Sequence, residues 1–183
     1  LRQSKKYQIN SDDIGIISTA SSMHDIGKIT IPSSILNKPG KLTPEEFNIM
    51  KGHTINCAQM LNSVPVGKDE PLMKYAYEIC RWHHERWDGG GYPDGLKGDE
   101  IPIAAQIVSI ADVYDALTSE RCYKKAYTHE KALEMIHNNE CGVFNPLLLN
   151  CLDSIADRLV SALQSFDWSK QADKDFFYIA DAM

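Results

Sequence analysis

Several things are missing from this sequence, and each absence narrows what the chain can be. No apolar run approaches the length of about 20 residues that a helix needs to cross a bilayer. The opening "LRQSKKYQINSDD" has no apolar core of a secretory signal. The expected compartment is therefore the cytoplasm, with no membrane segment in the chain. The cysteines, at 57, 80, 122, 141 and 151, are odd in number and form no CxxC pair. They read as reduced packing residues rather than a disulfide framework. Basic charge is in deficit: the net charge is −6. That argues against a reader of duplex nucleic acid, though not against a small anionic substrate, because bound metal ions can reverse the local sign of a carboxylate-lined site. There is no internal repeat, no low-complexity tract and no alternating pattern that predicts a strand.

What remains is a chain of 183 residues, 43% hydrophobic and 24% charged. That is enough to bury one substantial core. Its periodicity is helical nearly throughout. Ser11 can cap a helix with Asp12 and Asp13 in the first turn and Ile14, Ile17 and Ala20 inward. Thr43, Pro44 and Glu46 predict a capping box, followed by an inward face of Phe47, Met50, His53, Cys57 and Met60 or Leu61. Pro71 starts a helix burying Leu72, Ala76, Ile79 and His83. Pro102 opens a long one with Ile103, Ile107, Ile110, Ala111, Tyr114 and Leu117, and Thr128 and Asn145-Pro146 start two more. The predicted class is all-α. Residues 1–165 read as one domain, and 166–183 as a linker or the start of a further helix.

Four of the six histidines, His24, His53, His83 and His84, fall at or near inward positions of these helices, whereas His129 and His137 fit a solvated face. A single buried histidine is usually a hydrogen-bonded core residue. Here Asp25 follows His24, and Asp112 interrupts the apolar run "AAQIVSIADVYDAL". A buried carboxylate needs a cation or strong donors. Four imidazoles and two carboxylates can satisfy one another around divalent metal ions. His83 and His84 are neighbours, about 100° apart on a helix, so both can aim at one cavity only at a helix end. The loop "DGGGYPDG" that follows suits such an end, since glycine lets backbone approach a ligand closely. Two metals about 3.5–4 Å apart with a hydroxide between them would hydrolyse phosphate esters.

"HDIGK" at 24–28, "IPSSILNKPGKLT", "HHERWDGGGYPDGL" and "ADVYDALTSERCYKKA", in this order, resemble the HD superfamily of metal-dependent phosphohydrolases, and within it the HD-GYP branch. The similarity runs from about Ser11 to about Leu163. It implies an HD-type helical bundle with a glycine-rich GYP loop, acting as a cyclic di-GMP phosphodiesterase that yields pGpG and then GMP through a metal-bridging hydroxide. It implies His24, Asp25, His53, His83, His84 and Asp112 as ligands of two or three divalent ions. Iron or manganese are the usual ones, with zinc, nickel or magnesium as alternatives. Asp25 and Lys28 are the implied catalytic residues, and Lys28, Tyr92, Arg121 and Lys124 the substrate contacts. Asp115 would support Lys28 or a ligand from behind. A fused sensory or receiver domain commonly accompanies such modules, and a homodimer would cover an exposed core face.

Two departures stand out. The family carries a further ligand on a helix upstream of HDIGK, and no histidine precedes His24. The expectation is a domain that lacks its upstream helix. The alternative is a catalytically incomplete module that binds cyclic di-GMP or a partner protein as a signalling element. A general HD nucleotidase is disfavoured by the long GYP loop. The second departure is Asn145, where the family has Asp; either caps a helix, so little effect is expected.

Overall fold

The computed structural model describes residue 7 and residues 9–65, 70–120 and 125–165. Among the described residues the chain forms seven α-helices and no strand, in agreement with the all-α expectation. Helix α1 (Ser11–Ser21) is capped by Asn10, one residue before the predicted cap. The Asn10 side chain accepts from the amides of Asp12 and Asp13 at 2.8 and 3.0 Å, and Asp13 answers by accepting from the Asn10 amide at 2.9 Å. Ser11, already helical, cannot make that reciprocal pair.

A 3-10 turn (Ile26–Thr30) and the short α2 (Ser33–Leu36) lead to α3 (Pro44–Ser63). The α3 cap is the predicted one: the Glu46 amide donates to Thr43 Oγ1 (3.3 Å), and the Thr43 amide donates to the Glu46 carboxylate (2.7 Å). Then come α4 (Pro71–Trp82), α5 (Ile103–Thr118), α6 (His129–His137) and α7 (Pro146–Ser165). Thr128 caps α6 through the Lys131 amide, and Asn145 caps α7 through the Leu147 amide.

Helix α5 joins two parts of the core. Ala104 and Val108 in its first half pack with Ile17 and Ala20 of α1 and Ala76 and Ile79 of α4. Ile110, Val113, Tyr114 and Leu117 in its second half pack with α6 and α7. A third cluster, Ile31, Ile35 and Met50, seats α2 on α3. Three predicted inward residues are instead exposed. Ile14 and Leu72 lie at outer edges of α1 and α4. Ala111 continues the Ala104–Val108 stripe one turn beyond the cluster that covers it, beside Asp112.

Cys57 of α3 and Cys80 of α4 meet in the core, with Cα atoms 5.7 Å apart and both side chains fully buried. Helices α3 and α4 pack side by side, which brings together two residues 23 apart with no CxxC spacing. Cys141 is buried and Cys151 half-buried.

Asn145 does more than cap. Its amide nitrogen donates to Gln106 Oε1 (2.7 Å) and to the Tyr7 hydroxyl (2.9 Å), and it is buried. A carboxylate there would lose both donations, so the Asn-for-Asp exchange matters more than capping alone implied.

Gly27 fixes how the turn after His24 and Asp25 lies on α3. A Cβ there would overlap the His53 carbonyl oxygen and stand 2.8 Å from the Cys57 amide nitrogen, both backbone atoms that cannot swing away. Gly27→Ala is expected to cost about 3 kcal/mol of stability in urea titration. Gly15→Ala, where a Cβ meets nothing within 4 Å, should cost nothing. Equal midpoints for the two variants would contradict this account of Gly27.

Candidate metal centre

The site lies where the end of α1, the 3-10 turn, α3, the end of α4 and the middle of α5 meet. Three of the histidines are held in the same way. His24 Nδ1 lies 2.7 Å from the Ser21 carbonyl, His53 Nδ1 2.9 Å from that of Met50, and His83 Nδ1 2.9 Å from that of Ile79. Every one of these carbonyls lies three or four residues back along the chain. An imidazole that donates from Nδ1 keeps its lone pair on Nε2, the tautomer a metal ion takes up.

Those Nε2 atoms converge on Asp25. Its Oδ1 stands 3.5 Å from His53 Nε2 and 3.9 Å from His83 Nε2. The two imidazole nitrogens are themselves 3.5 Å apart. Its Oδ2 lies 3.2 Å from His24 Nε2 and 2.9 Å from Lys28 Nζ. Asp112 approaches from α5, with Oδ1 3.7 Å from His24 Nε2. His84 completes the group, its ring 4.0 Å from that of His83 and 5.1 Å from that of His53. One ligand atom from each of Asp25, His53, His83 and His84 lies within 4.8 Å of all the others.

The six predicted ligands are therefore neighbours, in an inner group of four with His24 and Asp112 at its side. Asp25 touches both parts, one oxygen to each. This donor set fits a divalent ion. Asp25 Oδ1 is buried and accepts no hydrogen bond, and an orphaned carboxylate oxygen facing imidazole nitrogens is the arrangement a cation resolves.

Electrostatics agree. Burial opposes the Asp25 carboxylate, but its hydrogen bond with His24 and the Lys28 ammonium outweigh that and hold it far below the usual carboxylate range. Burial likewise works against charge on His24, yet Asp112 and Asp25 overcome it and raise the imidazole to about 10, so a metal ion taken up by its Nε2 would displace a proton there. His83 is fully enclosed. Burial, then the neighbouring imidazoles, push it well below its ordinary value. It is thus neutral, as a ligand must be.

The GYP loop forms one wall. Tyr92 stacks on His84 with ring centres 4.7 Å apart, and its amide donates to the His84 carbonyl at 3.2 Å. Phe47 meets Tyr92 edge-on, and the Lys51 ammonium lies 5.9 Å from the Tyr92 ring centre. Asp115 is on the same helix as Asp112, one turn on, and its carboxylate accepts from the Ser119 hydroxyl. Arg121 and Lys124 lie outside the described residues. Of the two histidines given no role, His129 pairs with the Tyr114 hydroxyl and His137 with Asp153, at 2.6 and 2.8 Å.

Sequence reasoning missed Glu85 and Asp94. Neither received a role from the sequence, although Glu85 directly follows two candidate ligands. Glu85 accepts three backbone amides, and Asp94 accepts from Arg81 and from Trp82 Nε1.

Residues 5–146 match the HD domain family. A cyclic di-GMP phosphodiesterase of Thermotoga maritima is 47% identical over 130 residues, which cover 71% of this chain and 34% of that protein. The cyclic di-GMP phosphodiesterase response regulator RpfG of Xanthomonas campestris is 42% identical over 147 residues, 80% of this chain and 37% of its own. A 3'3'-cGAMP-specific phosphodiesterase of Vibrio cholerae is 42% identical over 146 residues, 80% of this chain and 27% of its own. The chain thus spans about a third of the length of these relatives.

Asp25→Ala is expected to weaken Mn(II) binding at least about tenfold in equilibrium dialysis with elemental analysis. His137→Ala should leave it unchanged. Undiminished binding in Asp25→Ala would show that this cluster is not a metal centre.

Proposed function

The chain belongs to the HD domain family, in its HD-GYP branch, and from that premise we propose that it is a metal-dependent phosphodiesterase opening cyclic di-GMP to pGpG, with GMP as a further product. The observation that carries the reading is Asp25. One of its oxygens faces two imidazole nitrogens without a hydrogen-bond donor, while the other holds the Lys28 ammonium at 2.9 Å. A metal site and a cation suited to a phosphoryl oxygen therefore share one carboxylate.

His24, Asp25, His53, His83, His84 and Asp112 would hold two divalent ions, with iron or manganese proposed. The bound ions would supply Lewis acidity and a nucleophile drawn from water. The chain's own residues do the rest. The backbone carbonyls of Ser21, Met50 and Ile79 orient three imidazoles with Nε2 toward the cluster. Lys28, tethered by Asp25, would contact a scissile-phosphate oxygen as negative charge builds. Tyr92, flat against His84, would wall the nucleotide on the loop side. Arg121 and Lys124 would grip the phosphates or guanine edges, and Asp115 would stand behind Lys28. Solvent would protonate the leaving oxygen.

The relatives' greater length supports a further sensory or receiver domain in the natural protein. A cytoplasmic location belongs to the same proposal. No helix among the described residues is long and apolar enough to cross a membrane.

Anaerobically purified protein, loaded with Fe(II) or Mn(II), is expected to convert cyclic di-GMP to pGpG on a chromatogram, and to act more slowly on 3'3'-cGAMP. His84→Ala should reduce the rate about 100-fold or more. Metal-loaded protein that binds cyclic di-GMP without turnover would overturn the proposal in favour of a binding module.

A further inference from the structure

Directly after the two ligand histidines, Glu85 is buried to 3% exposure, and its carboxylate is spent entirely on the far side of the loop. Oε1 accepts from the amides of Asp94 (2.7 Å) and Gly95 (3.0 Å), and Oε2 accepts from that of Leu96 (3.0 Å). Three consecutive amides on one carboxylate make a rigid clamp, since charge-assisted bonds to backbone are short and strong. The near side of the loop crosses directly over the ligand segment. A Cβ at Gly91 would overlap the Arg86 nitrogen and Glu85 Cα and lie 2.5 Å from the His84 carbonyl oxygen, so the crossing admits only glycine. Tyr92 follows at once, with its amide on that carbonyl and its ring on the His84 imidazole.

We propose that Glu85 is the positioning residue of this site: by holding residues 94–96 it sets the Tyr92 ring on His84, and through that ring the seat of the nucleotide. This deepens the phosphodiesterase reading and rests on it for the identity of the nucleotide. The alternative anchor, Asp94, grips Arg81 and the Trp82 indole on the solvent side and holds the outer edge of the loop rather than its crossing. The Glu85 carboxylate is hydrogen-bonded to the loop amides and not to a site histidine. Its effect passes through Tyr92, which makes the two residues energetically dependent on each other.

The experiment is a double-mutant cycle on the full chain. Glu85→Ala is expected to raise KM for cyclic di-GMP about tenfold with kcat changed less than about threefold, and Glu85→Gln to fall between. In a Tyr92→Ala background, Glu85→Ala should add less than about twofold. A parallel readout needs no turnover. In the diamagnetic Zn(II)-loaded protein, the Tyr92 ring protons, identified by their loss in Tyr92→Phe, should shift when Glu85 is changed to Ala. Multiplicative effects in the Tyr92→Ala background, or an unmoved Tyr92 signal, would overturn the proposal. If the wild-type chain does not hydrolyse cyclic di-GMP, the phosphodiesterase reading fails, and the Tyr92 signal still decides the role of Glu85.

Discussion

Everything at this site depends on one repeated hydrogen bond, from histidine Nδ1 to a carbonyl of the preceding turn. It is made three times, by His24, His53 and His83, on three separate elements. Its consequence is directional. With Nδ1 engaged, each ring is turned before any ligand arrives, and its Nε2 is the atom left to meet the others. The carbonyl has to be free of other constraints or able to accept twice. That condition holds near helix ends and wherever a side chain folds back on its own turn. The sequence spacing therefore matters less than the turn on which each histidine sits.

Convergence of that kind is electrostatically unfavourable for the bare chain. Imidazoles enclosed together repel any shared charge, and His83 is driven neutral by burial and by its neighbours. Asp25 stays ionised in spite of its burial, because His24 and Lys28 compensate it on one oxygen. The other oxygen has no such partner. The packing of α1, α3 and α4 sustains this imbalance. Gly27 lets the turn bearing Asp25 lie flat on the backbone of α3, and the small buried side chains of Cys57 and Cys80 let α3 pack closely on α4 one turn from His53 and His83. A framework that holds an uncompensated carboxylate oxygen against two lone pairs is organised for a cation.

Much of this was legible in the residues. Helix starts at Thr43, Pro71, Pro102, Thr128 and Asn145 follow from side-chain and ring chemistry that acts within four residues, so the sequence alone predicts them. The gathering of His24, Asp25, His53, His83, His84 and Asp112 could be inferred because buried polar groups demand partners. Features decided by the relative placement of elements were not legible. Cys57 meets Cys80 only because α3 and α4 lie side by side. Ala111 is exposed because the stripe it extends runs past its cover. The second role of Asn145, as a donor to Gln106, needs the α5–α7 geometry. Glu85 had a readable signal, a carboxylate beside two candidate ligands and before a glycine run, but its three acceptor bonds depend on a loop path that periodicity does not describe.

That loop path explains why so many glycines follow two histidines. A helix end can aim both imidazoles inward, yet it leaves the outer face of His84 to solvent. Covering that face with a ring from the same chain requires a reversal within eight residues, across the backbone of residues 84–86. Only a residue without a Cβ passes at Gly91. Such a reversal has little apolar surface of its own, so it has to be fastened by polar bonds, and Glu85 and Asp94 supply them from opposite sides. The paired histidines, the glycine crossing, the stacked tyrosine and the clamp thus answer one requirement, which is to close the candidate metal centre from its own helix end. A loop made for chain reversal alone would need neither the buried carboxylate nor the ring against His84.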